Sequence, residues 1–163
     1  LGTPSTEAIA ILETQVDDLS PQVLAYLSQE LLTLGAYDVF SQAITMKKSR
    51  QGILLTVHCP PALTATCRDR IFQETTTLGI RYRLEERFVL PRAIHALNTP
   101  YGPVRIKVCR RPLGDLAQGQ PLTVQPEYED CAAIARSHSI PLREVLELVH
   151  SLAITTLDFA GKR

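Results

Sequence analysis

Three short stretches of this chain combine residue types that suit a phosphate-bearing ligand. In ETTTLGIR (Glu74–Arg81), three consecutive threonines, a glycine and an arginine follow an apolar-periodic run through Leu63, Cys67, Ile71 and Phe72. β-Branched side chains lose rotamer freedom in a helix, so the threonines make poor helix interior. Their hydroxyls, Gly79 and Arg81 would grip an anion where a helix gives way to a strand. A helix C-terminus with Gly79 at C′ and solvated threonines is the plainer alternative. In MKKSRQG (Met46–Gly52), Lys47, Lys48 and Arg50 place three cations within four residues at a strand-to-strand turn. Backbone N–H groups that converge beside such charges bind phosphate; a solvated hairpin tip has the same composition. Asp17 and Asp18 stand just before a helix start, where the macrodipole favours acids. Paired carboxylates also hold a hard divalent cation that bridges phosphates. A further set of bases, Arg81, Arg83 and Arg87, alternates with Ile80, Tyr82 and Leu84 along one strand.

The elements that must position these residues follow from periodicity. Residues 8–16 read as a mostly buried strand, preceded by a linker-like tail over 1–7. Ser20 is the expected N-cap of a helix with Pro21 at N1. Val23, Leu24, Leu27, Leu31 and Leu34 keep helical spacing up to Gly35. Strands are expected over 37–46 and 52–59, the latter buried on both faces, and a second helix from about Ala62 to Thr77. Thr33-Leu34-Gly35 and Thr77-Leu78-Gly79 form a weak repeat, each closing a helix before a strand. Strand, helix, strand, strand, helix, strand is the order of a ferredoxin-like split βαβ sandwich over residues 8–92. Residues 93–163 form a second subdomain. It opens with a hairpin, 93–99 and 103–110, around Pro100-Tyr101-Gly102. Val104, Ile106 and Val108 give its second arm an apolar face, with Arg105, Lys107 and Cys109 on the other. A Pro/Gly/Gln loop over 112–125 leads to two helices. Their stripes are Tyr128, Cys131, Ala132 and Ala135, then Leu142, Val145, Leu146 and Val149.

Totals narrow the classes. The 163 residues, 45% of them hydrophobic, are enough for a real core. Seventeen acids balance seventeen bases, so no global field favours nucleic acid or a membrane, and an anion site must be local. Cys59, Cys67, Cys109 and Cys131 are widely spaced without a CxxC pair, which argues against a zinc knuckle and fits reduced, cytoplasmic thiols. His58, His95, His138 and His150 are scattered and show no transition-metal spacing. No signal peptide or bilayer-length apolar run is present. The opening LGTPS suggests a fragment of something longer.

With these segments laid out, the chain resembles the C-terminal domain of the LarC nickel-insertion family. The resemblance rests on ETQVDDLSP (Glu13–Pro21), GAYDVF (Gly35–Phe40), MKKSRQG, ETTTLGIR, TPYGPVRIKV (Thr99–Val108) and PEYEDC (Pro126–Cys131), in order and correctly spaced from about Ile11 to Val145. It implies an ACT-like (ferredoxin-like) domain that assembles as a hexamer and binds CTP with Mg²⁺ or Mn²⁺. The whole protein is implied to be a CTP-dependent nickel chelatase of the lyase class. It inserts nickel, as substrate, into pyridinium-3,5-bisthiocarboxylic acid mononucleotide, making the nickel-pincer nucleotide of lactate racemase. Carried over by motif, the nucleotide contacts are Lys47, Lys48, Arg50, Thr75, Thr76, Thr77 and Arg81, and the metal pair is Asp17 and Asp18. Nickel ligands and the residue that cleaves CTP are not marked. Gln15 and Gln51 stand where the family usually has asparagine and proline; neither change removes a charge. The family's longer N-terminal region is absent from this sequence, so nucleotide binding is expected of it, without the complete reaction.

Two other functions fit parts of the pattern. Ala132–Val145 spaces small and apolar residues much like a helix-turn-helix, which would make the chain a DNA-binding regulator with a ferredoxin-like sensor. Against that, Glu144 and Glu147 on the supposed reading helix would repel DNA, leaving only Arg143 to reach it. A pure oligomerisation module, its basic faces pairing with acids of neighbouring subunits, is the third.

Overall fold

The structure, a computed structural model, describes residues 4–110 and 122–160. The chain divides into two compact units, one over Thr6–Arg87 and the other from Phe88 onward.

In the first unit, β1 (Ser5–Val16), β2 (Asp38–Thr45), β3 (Gln51–Cys59) and β4 (Arg81–Val89) form one sheet in the order β2-β3-β1-β4. Two helices, α1 (Pro21–Thr33) and α2 (Thr64–Glu74), connect them, giving the expected ferredoxin-like βαββαβ arrangement. The β1–β3 and β2–β3 pairs are antiparallel, with Leu12 opposite Val57 and Val39 also opposite Val57. Ala10, Leu12, Leu55, Val57 and Cys59 on one sheet face pack against Leu27 and Leu31 of α1 and Cys67 and Ile71 of α2. Burial pushes the Cys67 thiol up to about 12 and raises that of Cys59, so both thiols are protonated core packers at neutral pH. All four cysteines are free.

α1 begins and ends as its sequence dictates. The Ser20 hydroxyl accepts from the Gln22 N–H at 3.2 Å, and Pro21 supplies the first helical residue without a donor to waste. Gly35 takes φ 103°, letting its own N–H reach the Leu32 carbonyl and that of Ala36 reach Leu31. The end of α2 differs from expectation. The helix stops at Glu74, and Thr75 is already extended with its hydroxyl bonded back to the Ile71 carbonyl at 2.8 Å. Gly79 therefore lies beyond the cap rather than at C′, and the apparent Thr-Leu-Gly repeat is not a structural one. Phe72, placed in the apolar run, is 42% exposed.

In the second unit, β5 (Arg92–Thr99), β6 (Gly102–Arg110) and β7 (Leu122–Pro126) form an antiparallel sheet in that order. Thr99 opposite Gly102 leaves Pro100-Tyr101 as the turn; neither takes a positive φ, and Gly102, which follows them, adopts a φ of 114° that glycine accepts without steric cost. β7 was not foreseen: 122–125 is strand rather than loop, while 112–121 lies outside the described residues. Similarly β1 begins at Ser5 inside the expected tail, of which 1–3 lie outside the described residues. The helices α3 (Tyr128–His138) and α4 (Leu142–Ala160) bury Cys131, Ile134, Val145, Val149 and Ala153 against Val104, Ile106, Val108 and Val124. Tyr128 is 58% exposed and does not join that stripe, whose inner positions are Cys131, Ala132 and Ile134.

The basic face of β6 is neutralised within this unit. Asp130 accepts from the Arg105 backbone N–H at 2.9 Å and from its Nε and Nη2 at 2.9 and 2.8 Å, while Lys107 pairs with Glu127 at 2.7 Å. The acids of PEYEDC thus clamp α3 to the strand of TPYGPVRIKV. These hydrogen bonds hold the Asp130 carboxyl at about 2, against its usual 3.8. A depressed folded-state value stabilises the protein above the unfolded pKa and loses that contribution as pH falls through the folded one. We therefore expect Asp130→Asn to melt lower than wild type at pH 7. The gap should narrow as pH drops from about 4 toward 2, and a pH series of melting curves measures it.

Candidate functional site

The two threonines at the ends of this site are tied together by a buried hydroxyl. Thr14 lies on the helix-side face of β1, only 2% exposed among Leu12, Val16 and Leu55. A hydroxyl in such surroundings must find partners. Thr14 bonds to the Thr77 hydroxyl and to the Gly79 carbonyl at 2.9 Å; Thr77 also reaches that carbonyl at 3.0 Å. The threonine run is thereby drawn off the end of α2 and laid across the end of the sheet. Thr76 donates to the Asp18 carboxylate, fixing the loop a second time.

Around this knot lies a cavity of about 540 Å³. Its walls include Asp17 and Asp18 from the end of β1, Met46 from the β2–β3 connection, Thr76 and Thr77, and Arg81 at the start of β4. The basic turn lies at the same end of the sheet, because Val16 at the close of β1 stands opposite Ile53. Lys48 and Ser49 take left-handed φ values of 61° and 59°, and the turn is closed by the Met46 N–H to the Arg50 carbonyl at 2.8 Å. Gly52 is required beneath it: a Cβ there would stand 2.6 Å from Met46 Sδ and 2.7 Å from the Val16 carbonyl oxygen. Arg50 bonds Asp17 through Nη1 at 3.2 Å.

Of the residues singled out from sequence, Asp17, Asp18, Thr76, Thr77 and Arg81 line the cavity together. Arg50 reaches it through Asp17. Thr75 caps α2 instead, and Lys47 and Lys48 stand in the exposed adjacent turn outside the lining. Gln15, Val16, Leu78, Gly79 and Ile80 complete the wall; Gly79 belongs to the anion grip expected of ETTTLGIR, and the other four carry no sequence signal beyond adjacency. The basic face of β4 resolves into different roles. Arg83 pairs with Glu13 at 2.8 Å and Glu85 at 2.5 Å; its hydrogen bond to Glu13 is what chiefly lowers that carboxyl's pKa. Arg87 pairs with Glu7 and lies 4.3 Å over the Tyr37 ring. Arg81 has no ion-pair partner among the described residues.

A divalent cation fits this donor set in one way. Each carboxylate has a partner on one side, Arg50 on Asp17 and Thr76 on Asp18, and keeps acceptor capacity on the other. No cluster of three or more His, Cys, Asp or Glu that could hold a metal occurs among the described residues. Two carboxylates with phosphates making up the rest is how Mg²⁺ is usually bound.

The Thr14 knot predicts a measurable effect. Thr14→Val keeps the shape and deletes the hydroxyl, so the unfolding free energy should fall by about 1 kcal/mol. Amide exchange at Thr77 and Gly79 should quicken. Unchanged exchange there would mean that Thr76–Asp18 and Thr77 alone hold the loop.

Comparison with known proteins joins these segments. The sequence model of the nickel insertion protein family matches residues 2–146. Nickel insertion proteins of Gloeothece citriformis and Synechococcus elongatus are 53% and 54% identical over 93% and 86% of this chain, and 36% and 34% of their own lengths. The chain therefore spans about a third of the curated relatives it matches. Among solved structures, the apo C-terminal domain of a LarC cyclometallase involved in synthesis of the NPN cofactor of lactate racemase aligns with a TM-score of 0.79. It is 36% identical, with 91% of this chain and 99% of that one covered. A protein of Methanopyrus kandleri shares the fold at a TM-score of 0.61 and 22% identity, with 90% of this chain and 88% of that one covered. The chain belongs to the nickel insertion protein family.

Proposed function

We propose that this chain is the nucleotide-holding part of a CTP-dependent nickel chelatase of the lyase class. The full-length protein would insert nickel, its substrate, into pyridinium-3,5-bisthiocarboxylic acid mononucleotide and so make the nickel-pincer nucleotide of lactate racemase. The observation that carries this reading is the convergence of ETQVDDLSP, MKKSRQG and ETTTLGIR at one cavity where Arg81 has no acidic partner among the described residues. A guanidinium without a carboxylate, beside threonine hydroxyls and a lysine-bearing turn, suits phosphate oxygens. Asp17 and Asp18 would hold Mg²⁺ or Mn²⁺ against the triphosphate, and the cation would neutralise charge between phosphate oxygens. Lys47, Lys48 and Arg50 would screen it from the turn; Thr76 and Thr77 would donate, and Thr75 would support them from the helix end. The nucleotide substrate and the N-terminal part of the longer protein are its partners, in a cytoplasmic homohexamer. Relatives more than twice as long support the N-terminal partner, and four free thiols the cytoplasmic setting; the hexamer is carried over from the family resemblance.

Calorimetric titration with CTP, ATP and GTP, with and without Mg²⁺ or Mn²⁺, tests the reading. Arg81→Ala should weaken CTP by about 1.5–3 kcal/mol, the worth of a hydrogen bond to a charged group, while leaving the melting curve unchanged without nucleotide. Equal affinity in the folded variant would reduce Arg81 to a surface base.

The acid pair is tested separately. In Asp17→Asn/Asp18→Asn the enhancement of CTP binding by Mg²⁺ should vanish, and metal-free CTP should bind no worse than to wild type. If the pair only complements the α1 dipole, stability should fall by about 0.3–1 kcal/mol per charge and the metal effect should persist.

A further inference from the structure

β4 ends the sheet of the first unit, and no strand among the described residues pairs with its outer edge. A free edge offers a row of unpaired N–H and C=O groups, and proteins ordinarily blunt one with proline, bulges, a short length or charged side chains. The charges of β4, Arg81, Arg83, Glu85, Glu86 and Arg87, are of both signs and so can pair across a shared edge. β4 is nine residues long, contains no proline, and is exposed at every position from Arg81 to Glu86. Its helix-side positions carry Tyr82, 53% exposed, and Leu84, 58% exposed. Beside them lies a separate apolar groove of about 480 Å³, lined in part by Leu12, Ala65, Phe72, Ile80 and Tyr82. Apolar side chains of this size along an open edge indicate a covering partner.

We propose that this edge pairs antiparallel with the same strand of a second copy, about a two-fold axis centred on Leu84. The sequence RYRLEER is self-complementary in that register. Leu84 meets Leu84, each Arg83, already held by its own Glu13 and Glu85, faces the other copy's Glu85, and each Tyr82 faces its Glu86. The outermost like-charged pair sets Arg81 against Arg87, whose charge Glu7 already balances. Sliding by two residues in one direction puts Arg83 against Arg83 and in the other Glu85 against Glu85, so like charges stand at the axis in both. Sliding by one brings Leu84 against a charged side chain. In the chosen register, residues of like parity face each other. Both helix layers then lie on one side of an eight-stranded sheet, and the Phe72–Tyr82–Leu84 strips of the two copies run together. This pairing is independent of what the cavity binds.

Sedimentation equilibrium and cross-linking of the full chain test it. Leu84→Lys sets two ammonium groups at the axis and should halve the molar mass or reduce it further; wild-type mass in that variant, or a monomeric wild type, overturns the proposal. Opposed residues of antiparallel strands have Cα atoms about 4.5 or 5.5 Å apart, within disulfide reach. Leu84→Cys, made with the half-buried Cys109 changed to serine, should therefore form a covalent dimer with oxidised glutathione, whereas Tyr82→Cys should not. Absence of that dimer, or equal cross-linking at both positions, overturns the register even if Leu84→Lys fails to fold.

Discussion

The site depends on one buried hydroxyl. Thr14 sits where the alternation of β1 calls for an apolar side chain, between Leu12 and Val16 on the helix-packed face. Burying that oxygen without partners would cost on the order of 1–3 kcal/mol, so the chain must bring polar groups to it. It brings Thr77 and the Gly79 carbonyl from more than sixty residues away. Satisfying the hydroxyl keeps ETTTLG from continuing α2 and sets it beside Asp17 and Asp18. With a valine at 14 the sheet would pack as well, but the cavity would lose a determinate wall.

Charge is distributed by the same economy. A neutral chain with scattered bases could leave most of them solvated; here the strand arginines are largely committed. Arg83 and Arg87 stitch β4 to β1 through Glu13 and Glu7, and because the lower-numbered acid meets the higher-numbered base, the two strands run antiparallel. Arg105 and Lys107 hold α3 to β6. These half-exposed pairs contribute modestly to stability, but they fix register and direction. In the first unit, what they leave over is local: Arg81 and the Lys47–Lys48 turn, both at one end of one sheet, with the acid pair between.

Much of the fold was legible because its signals are local. Ser20-Pro21 and Gly35 cap α1 by mechanisms that need no tertiary context, and the βαββαβ order follows from the alternation of two periodicities. Pro100-Tyr101-Gly102 likewise announces its hairpin. The misreadings fall where distant partners decide. Three threonines looked like a frayed helix end until Thr14 supplied the reason for leaving the helix four residues before Gly79. β7 is short and follows a Pro/Gly/Gln-rich stretch, so its strand character comes from pairing with β6 rather than from its own pattern. PEYEDC sets Glu129 and Asp130 in the first turn of α3, but only the fold shows that Asp130 and Glu127 each also hold a base on β6. Asp17 and Asp18 showed their residue type in the sequence, but not that Arg50 and Thr76 engage them.

Topology explains why three separated motifs meet. In a βαββαβ sheet the close of β1, the β2–β3 connection and the opening of β4 fall at one end, whatever their separation along the chain. The opposite end, where β3 closes at Cys59 and β2 opens at Asp38, carries no comparable grouping of hydroxyls and unpaired bases among the described residues. A site built this way draws rigidity from the sheet and adjustability from the connecting loops. Gly52 shows how tightly the two are joined: the basic turn approaches Val16 so closely that no side chain fits beneath it, and movement of that turn is felt at the strand that carries the acids. The acid pair therefore stands in a fixed relation to Arg81 across the cavity. That relation, rather than the charge of any one residue, is what the three motifs jointly preserve.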